Sequence, residues 1–301
     1  MLHTRTTPAQ RRRAFREKLA SGRLQRVPGA INPYSARLVQ EAGFDAVYLS
    51  GAVLAADLGL PDIGLTTATE VAGRAQQITR VTDLPALVDA DTGFGEPMNA
   101  ARTLQLMEDA GLAGLHLEDQ VNPKRCGHLD GKSVVPREEM TRRIRAAADA
   151  RRDPDFLLMA RTDARAVEGL DAAVDRARAY VDAGADAVFP EALSGEAEFE
   201  AFRKAVDVPL LANMTEFGKG RLLDARTLEN LGYNIVIYPV TLFRLAMGAV
   251  EDGLRTIARE GTQESLLDRM QTRSRLYDVL GYERYAAFDS AVYDFTLPPG
   301  N

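Results

Sequence analysis

The stretch ALVDADTGFGEPMNAARTLQLMEDAGLAGLHL, residues 86–117, contains one complete unit of the pattern that decides the fold. A short apolar run over 86–89 precedes a segment of helical periodicity over 99–110, and a second apolar run begins at Gly114. Gly111 follows the helical segment in an Asp-Ala-Gly turn, where glycine is the usual helix C-cap. Short, fully apolar runs are typical of strands buried on both faces of a parallel sheet. The stretch therefore predicts a strand, a helix and a second, parallel strand.

The same unit recurs along the whole chain and predicts an α/β protein. Eight strands alternating with helices in a chain of this length predict a (β/α)8 barrel of the TIM type. A doubly wound dinucleotide-binding sheet is disfavoured, because no Gly-x-Gly-x-x-Gly motif follows the first predicted strand. The predicted strands are 27–30, 46–49, 86–89, 114–117, 156–160, 187–190, 210–213 and 235–238. The predicted helices are 36–42, 99–110, 137–151, 170–183, 196–206 and 241–260.

We expect a single barrel domain over 1–301, in which 262–301 form a C-terminal arm beyond the eighth barrel helix. The arm contains a helical stretch around 265–280 and a tail rich in Tyr, Phe and Pro. Such an appendage either covers the barrel or packs on a neighbouring subunit, which predicts a homo-oligomer. The apolar residues of the arm that require a partner surface are Leu266, Leu267, Met270, Leu276 and Tyr277.

Composition excludes several classes of protein. The net charge of -6, with 46% hydrophobic residues, disfavours a nucleic-acid binder and fits an ordinary globular chain. No apolar stretch approaches membrane-spanning length, so we expect no membrane partner and a cytoplasmic location. The single cysteine cannot form an intrachain disulfide, which agrees with a reducing compartment. The run Arg11-Arg12-Arg13 is interpreted as a solvated helix face.

Polar residues follow the predicted strands at their carboxyl ends, which converge on one mouth in a barrel. The Asp-x-Asp pair at 89–91, with more acids nearby and no histidine partner, predicts a site for a hard divalent cation, Mg²⁺ or Mn²⁺. Two arginines supply forked donors suited to substrate carboxylates. In strand order the set is Ser50, Gly51, Ala52 and Asp62; Asp89 and Asp91; Glu118 and Asp119; Arg161 and Asp163; Glu191; Asn213 and Thr215; and Arg244.

The loop Lys124-Arg125-Cys126-Gly127-His128 follows the fourth predicted strand and holds the only cysteine. Cations and an imidazole beside a thiol make it easier to ionise or to use as a proton donor. A lone cysteine is often a small buried hydrophobe, but these flanking residues are not those of a core strand. We predict that Cys126 is a general acid, beside Lys124 and His128, in the cleavage of a carbon–carbon bond of a small polycarboxylate.

Over essentially its whole length the chain resembles the isocitrate lyase and phosphoenolpyruvate mutase superfamily, and most closely its family of 2-methylisocitrate lyases. The KRCGH loop is specific to the lyase branch, and the chain lacks the insertions of the longer isocitrate lyases. One departure is that Ala52 and Val53 follow Gly51, where the family often has further glycines. The matching motifs are YLSG (48–51), LGLPD (58–62), VDADTGFG (88–95), HLEDQ (116–120), KRCGH (124–128), ARTDA (160–164), FPEA (189–192) and NMTEFG (213–218).

The resemblance implies Mg²⁺-dependent cleavage of 2-methylisocitrate, a small tricarboxylate, into pyruvate and succinate in propionate breakdown by the methylcitrate cycle. It implies that Asp89 and Asp91 hold the metal, with Glu118 acting through water. It makes Cys126 the general acid and Tyr48 the candidate for handling the substrate hydroxyl. It also implies a homotetramer in which the eighth barrel helix swaps between paired subunits. The implied substrate site comprises Ser50, Gly51, Ala52, Asp62, Gly127, Arg161, Glu191, Asn213, Thr215, Arg244 and Arg273.

Three other functions stay open at this stage. Isocitrate lyase activity is the nearest, because the two substrates differ by one methyl, which a pocket discriminates by only about 1–3 kcal/mol. Phe189 and Ile237 are candidates for the methyl pocket and, equally, for the barrel core. Decarboxylation of oxaloacetate or processing of a related carboxylate is disfavoured by the cysteine loop. A non-catalytic binding barrel is disfavoured because the chain keeps both metal-ligand candidates and the thiol.

Overall fold

The computed structural model describes residues 4–125, 127 and 131–294. Within them, β-strands alternate with α-helices in the order expected of a barrel. The strands are β1 Gln25–Pro28, β2 Val47–Leu49, β3 Ala86–Asp89, β4 Gly114–Glu118, β5 Leu157–Thr162, β6 Ala187–Pro190, β7 Leu211–Asn213 and β8 Ile235–Tyr238. The helices up to β8 are α1 Pro8–Ala20, α2 Pro33–Glu41, α3 Gly51–Asp57, α4 Ala68–Thr79, α5 Pro97–Asp109, α6 Arg137–Ala150, α7 Ala164–Val167, α8 Leu170–Asp182, α9 Glu196–Ala205 and α10 Ala225–Asn230.

All paired strands run parallel. Strands β2 to β6 pair in sequence order, and β7, β8 and β1 form a second run. A bridge between Gly29 and Tyr48 joins β1 to β2, and a bridge between Val188 and Leu210 joins β6 to the start of β7. The sheet is therefore closed, and the predicted (β/α)8 barrel is confirmed. The predicted strands at 86–89, 187–190 and 235–238 have the observed bounds.

The interpretation of Arg11 to Arg13 as a solvated face is wrong for two of the three arginines. Arg12 is buried, and its guanidinium donates to the carbonyl oxygens of Leu112 at 2.7 Å and Glu108 at 2.6 Å. Phe15, on the same helix, lies in a buried cluster with inward-facing strand residues. Helix α1 therefore packs at the amino-terminal end of the barrel, where Arg12 donates to backbone carbonyls at the end of α5 and in the turn that follows it.

The eighth barrel helix, α11 at Thr241–Glu260, has the predicted bounds but leaves its apolar face uncovered within one chain. Leu245 is 67% exposed and Leu254 is 62% exposed, while the buried residue of this helix is Thr256. The arm then continues through a 3₁₀ helix, η1, and two α-helices, of which the first packs against α2. These elements are η1 Glu264–Arg269, α12 Arg273–Leu280 and α13 Tyr282–Tyr293.

The barrel core is built from two kinds of contact. Inward-facing strand residues such as Leu87, Met159 and Ile237 pack inside the barrel, while Val88 and Leu158 face the surrounding helices. This alternation leaves the carboxyl ends of the strands free to carry polar groups. In the described part of the chain, no helix has both the length and the apolar character needed to span a bilayer.

Candidate active site

One cleft lies at the carboxyl ends of the strands, as the barrel topology requires. Seven of the eight strands, or the loops that follow them, contribute side chains to it. Cys126 and His128 are outside the described residues. The cleft is lined by Tyr48, Ser50, Ala52, Asp62, Asp89, Lys124, Gly127, Arg161, Phe189, Glu191, Asn213, Thr215, Ile237, Pro239 and Val240.

Two carboxylates converge beside the first turn of α3. Asp89 is the last residue of β3, and its Oδ1 accepts a hydrogen bond of 3.0 Å from the Asp91 N–H. Asp91 has a φ of 46°, in the left-handed region where Asp is more common than most residues. A Cβ on Gly51 would lie 3.0 Å from Asp89 Oδ2 and 3.4 Å from Asp91 Oδ1. Glycine at this position therefore leaves open the space that both carboxylates face.

The Lys124 ammonium is the counter-charge of this pair. Its Nζ lies 2.8 Å from Asp91 Oδ1 and 2.5 Å from Asp62 Oδ1, and its side chain is 2% exposed. Burial alone would lower the pKa of Lys124, but Glu118, Asp89 and Asp91 raise it above the usual value. Burial and the neighbouring Asp89 raise the pKa of Asp91 to about 6. Lys124 therefore stays protonated and offsets the repulsion between the two aspartates.

Arg161 is the second cation of the cleft and is surrounded by carboxylates. Nη1 lies 3.1 Å from Glu118, Nη2 lies 3.3 Å from Glu191, and Nε donates to Asp163 at 2.9 Å. The guanidinium also stacks on Phe189, 5.1 Å from the ring centre. Burial opposes the charge of Arg161, but these carboxylates raise its pKa well above the usual value. Its charge and orientation are thus fixed by the site.

Gly127 places the backbone of its loop directly against the Arg161–Glu191 ion pair. A Cβ there would lie 2.5 Å from Arg161 Nη2 and 2.5 Å from Glu191 Cγ, which is closer than real side chains approach. No other residue type fits without moving the arginine or the glutamate. The glycine of the KRCGH motif is therefore explained by close packing of the loop on the floor of the site.

His116 is a residue of the site that the sequence analysis did not select. Its Nε2 lies 2.7 Å from the Tyr48 hydroxyl, and its Nδ1 lies 3.8 Å from Asp89 Oδ1. Burial lowers the pKa of His116 to about 4, so the imidazole is neutral near pH 7. Burial also raises the pKa of Tyr48, which keeps the phenol protonated. Strand alternation could have found His116, because it faces the same side of β4 as Glu118.

Two predicted arginines lie away from the cleft lining. Arg244, on α11, donates to the Glu216 carbonyl oxygen at 2.6 Å and lies 2.8 Å from its carboxylate. It also stacks on Phe217, which holds it at the rim, 3.4 Å from Thr215 Oγ1. Arg273 is exposed at the start of α12, outside the barrel wall, and the structure of one chain does not bring it to the cleft.

The donor set fits a metal that keeps several waters. Across the described ranges, no three His, Cys, Asp or Glu side chains form a ready-made metal cage. Asp91 Oδ1 and both oxygens of Glu118 are buried without a hydrogen bond, although each carboxylate has a cation nearby. Mg²⁺ typically uses one or two carboxylates and completes its shell with water. Asp89 and Asp91, with Glu118 behind them, offer hard oxygen atoms of the kind that Mg²⁺ binds.

Comparison with known proteins identifies the family. The sequence model of the phosphoenolpyruvate phosphomutase family matches residues 15–258. The chain belongs to this family. The resemblance to the isocitrate lyase and phosphoenolpyruvate mutase superfamily is therefore confirmed.

Individual relatives narrow the resemblance to one branch. The "Probable 2-methylisocitrate lyase 2" of Corynebacterium glutamicum is 64% identical over 289 residues, which cover 96% of this chain and 94% of the relative. The 2-methylisocitrate lyase of Escherichia coli K12 is 50% identical over 275 residues, or 91% of this chain and 93% of that one. Among solved structures, a phosphonopyruvate hydrolase complex with oxalate and Mg²⁺ superposes with a TM-score of 0.85 at 31% identity, covering 95% of this chain and 99% of that chain.

Proposed function

We propose that the protein is a carbon–carbon lyase that cleaves 2-methylisocitrate into pyruvate and succinate. The observation that carries this proposal is the pairing, in one cleft, of the Asp89–Asp91 carboxylates with the Arg161 and Lys124 cations. A tricarboxylate with an α-hydroxy group needs a metal site for the hydroxy acid and cations for the remaining carboxylates. The relatives of 64% and 50% identity, both named 2-methylisocitrate lyases, support this substrate.

We propose Mg²⁺, or Mn²⁺ in its place, as the metal, held by Asp89 and Asp91 with Glu118 acting through water. When bound, the metal supplies a Lewis acid that polarises the hydroxyl and carboxylate oxygens of the substrate. The open space over Gly51 and the buried carboxylate oxygens without hydrogen bonds support this assignment. The Mg²⁺ and oxalate complex of the related phosphonopyruvate hydrolase also supports it.

Arg161 and its neighbours would bind the carboxylates of the substrate. Arg161 lines the cleft, and its Nη2 donates to Asp163 at 3.2 Å and lies 3.3 Å from Glu191, so a substrate carboxylate would share this nitrogen with the two acids. Asn213 and Thr215 line the same side of the cleft and can donate to further oxygens. Ser50 caps α3 through Val53 N–H at 3.4 Å and keeps its own hydroxyl proton for the substrate.

The bond changes then follow from the groups that face the cleft. Loss of the substrate hydroxyl proton allows the adjacent carbon–carbon bond to break, and the hydroxyl carbon becomes the keto carbon of pyruvate. The bonding electron pair stays on the carbon that becomes a methylene of succinate, which takes up one proton from Cys126. Tyr48, whose hydroxyl lies 2.7 Å from Nε2 of neutral His116, would take up the substrate hydroxyl proton while it passes its own proton to that nitrogen.

The substrate assignment is tested by measuring pyruvate and glyoxylate formation from 2-methylisocitrate and isocitrate, side by side, with Mg²⁺. We expect kcat/KM to be about 10- to 200-fold higher for 2-methylisocitrate, which is the range that one methyl group provides. Phe189 and Ile237 line the cleft and are also 1% exposed members of the barrel core. We therefore propose that each residue contributes both to the core and to the pocket for the substrate methyl group. Equal or reversed preference would favour isocitrate lyase activity instead.

We also propose that the protein is a homo-oligomer, with a tetramer as the expected form. Its support is the uncovered apolar face of α11 and the aromatic surface of α13, where Phe288 is 53% exposed and Tyr293 is 82% exposed. Apolar and aromatic side chains that are exposed along two helices of a folded chain indicate a site of association.

The assembly is tested by light scattering. We expect a mass several times that of the 32.9 kDa chain at micromolar concentration, and a lower mass for Leu254→Lys, because a charge on α11 would be buried at the contact. Val167→Lys, an isolated apolar residue that is 44% exposed on α7, is the matched control. A wild-type mass of one chain would contradict the proposal.

A further inference from the structure

Lys132 lies beyond the KRCGH motif, and its ammonium is buried among groups of the site. Its Nζ donates to the carbonyl oxygen of Gly127 and, at 2.7 Å, to Asp163 Oδ1. The side chain is 3% exposed, and the carboxylate that it meets is 0% exposed. A lysine is rarely buried to this extent unless its charge is paired. Neither the sequence motifs nor the proposed reaction accounts for this residue.

Asp163 joins Lys132 to the substrate-facing arginine. Its Oδ1 accepts from Lys132 and, at 3.2 Å, from Arg161 Nη2, and its Oδ2 accepts from Arg161 Nε at 2.9 Å. Its backbone N–H donates to Asp119 Oδ1 at 2.8 Å, which fixes the start of the turn after β5. One buried carboxylate therefore orients both cations.

We propose that Lys132 is a positioning residue that fixes the Gly127 backbone and the Arg161 guanidinium relative to each other through Asp163. This inference rests on the proposed function of the cleft. Gly127 is seated so closely on Arg161 and Glu191 that a Cβ would not fit, so a small shift of either group changes the shape of the site. Lys132 contacts the loop on one side and the carboxylate that holds Arg161 on the other.

The charge count explains why a cation is needed at this point. Asp163, Glu118 and Glu191 surround Arg161, and all three carboxylates are buried. Lys132 supplies a second positive charge to Asp163. Without it, Asp163 would depend on Arg161, which also lies beside Glu118 and Glu191, and Arg161 would be drawn towards Asp163 and away from the cleft. Removing one partner of a buried pair leaves an uncompensated charge.

The test measures turnover of 2-methylisocitrate and, separately, binding of oxalate with Mg²⁺ by calorimetry. We expect Lys132→Met to lower kcat/KM by about 10²-fold, the effect of a misplacement of about 1 Å at a reacting centre, and to weaken oxalate binding. Lys132→Arg, which keeps the charge, should recover part of both losses. Lys204→Met is the control, because Lys204 is 71% exposed and pairs with Glu200 on the outer face of α9.

A double-variant cycle separates positioning from a general loss of stability. If Lys132 acts through Asp163, then adding Lys132→Met to Asp163→Asn should cost far less than it does in the wild type. Independent losses that multiply would overturn the proposal, as would a Lys132→Met protein with wild-type turnover and oxalate affinity. If Lys132→Met and Lys132→Gln both fail to fold by circular dichroism, the residue is structural and the proposal is also overturned.

The two proposals fail in different ways. A wild-type protein that binds oxalate and Mg²⁺ but does not cleave 2-methylisocitrate refutes the proposed substrate. In that case the effect of Lys132→Met on oxalate affinity still decides whether Lys132 positions the site.

Discussion

Asp91→Ala is expected to abolish turnover, by about 10⁴-fold, while the barrel stays folded. The variant removes one of the two carboxylates that face the space over Gly51, and Lewis-acid stabilisation by a bound metal contributes several kcal/mol to such reactions. Folding should survive, because the pKa of Asp91 is raised by burial and by repulsion from Asp89, which the substitution relieves. Treating wild-type protein with a chelator should have the same effect on pyruvate formation, and added Mg²⁺ should restore the rate.

The control for this variant is Asp109→Ala, since Asp109 is 65% exposed and pairs with Arg152 on the outside of the barrel. Its activity should match that of the wild type. Calorimetry with Mg²⁺ alone provides a readout independent of turnover, and binding should be lost only in Asp91→Ala. Full activity in chelated, metal-free protein would refute the metal assignment, whatever the variants show.

The barrel could be predicted from sequence because its strands are buried on both faces. This requirement produces short, uninterrupted apolar runs, and the runs at 86–89 and 187–190 have the bounds of β3 and β6. Helix α4 was not predicted, and of α1 only a helix face at Arg11 to Arg13 was expected, because both helices carry many charged or polar residues. The burial of Arg12 depends on carbonyl groups of loops around residues 108–112, far away in sequence.

Much of the site could also be predicted, because a parallel barrel brings every strand end to one mouth. Asp89, Arg161 and Glu191 come together in the cleft for that reason. His116 was missed because it lies within an apolar strand, where only its spacing of two residues from Glu118 indicates that it faces the site. Lys132 was missed because its role depends on contacts with Gly127 and Asp163 that no local pattern contains.

A single sequence does not show which molecule covers the apolar residues on the outer surface of the barrel. The periodicity of α11 predicts only a barrel helix, and the swap of this helix between subunits was implied by the family resemblance alone. The exposed apolar face of α11 shows that one chain does not bury these residues. Periodicity identifies which face of a helix is apolar but not which molecule covers it. Arg273 illustrates the same limit, because its place at the start of α12 is outside the cleft of its own chain.

Cys126→Ala is expected to lower kcat by about 10²–10⁴-fold, with a much smaller change in substrate binding. Cleavage leaves an electron pair on the carbon that becomes a methylene of succinate, and completing the reaction requires a proton donor beside it. Cys126 precedes Gly127, whose backbone is seated on the Arg161–Glu191 pair, and follows a loop anchored by Lys124 at the Asp91 carboxylate. Steady-state rates and calorimetric oxalate affinity with Mg²⁺ would separate the loss of catalysis from loss of binding.

The role of the Cys126 thiol can be tested in two further ways, by a serine variant and by chemical modification. Cys126→Ser should be impaired like Cys126→Ala, because a hydroxyl is a far weaker acid than a thiol. Since the chain has one cysteine, iodoacetamide should inactivate the wild type by modifying that position alone, and it should leave the residual rate of Cys126→Ala unchanged. A serine variant that turned over like the wild type would remove the thiol from the mechanism. The proton donor would then have to be another group, with His128 and Glu118 as the next to replace; the pKa of Glu118 is raised by its burial, so this carboxyl can carry a proton.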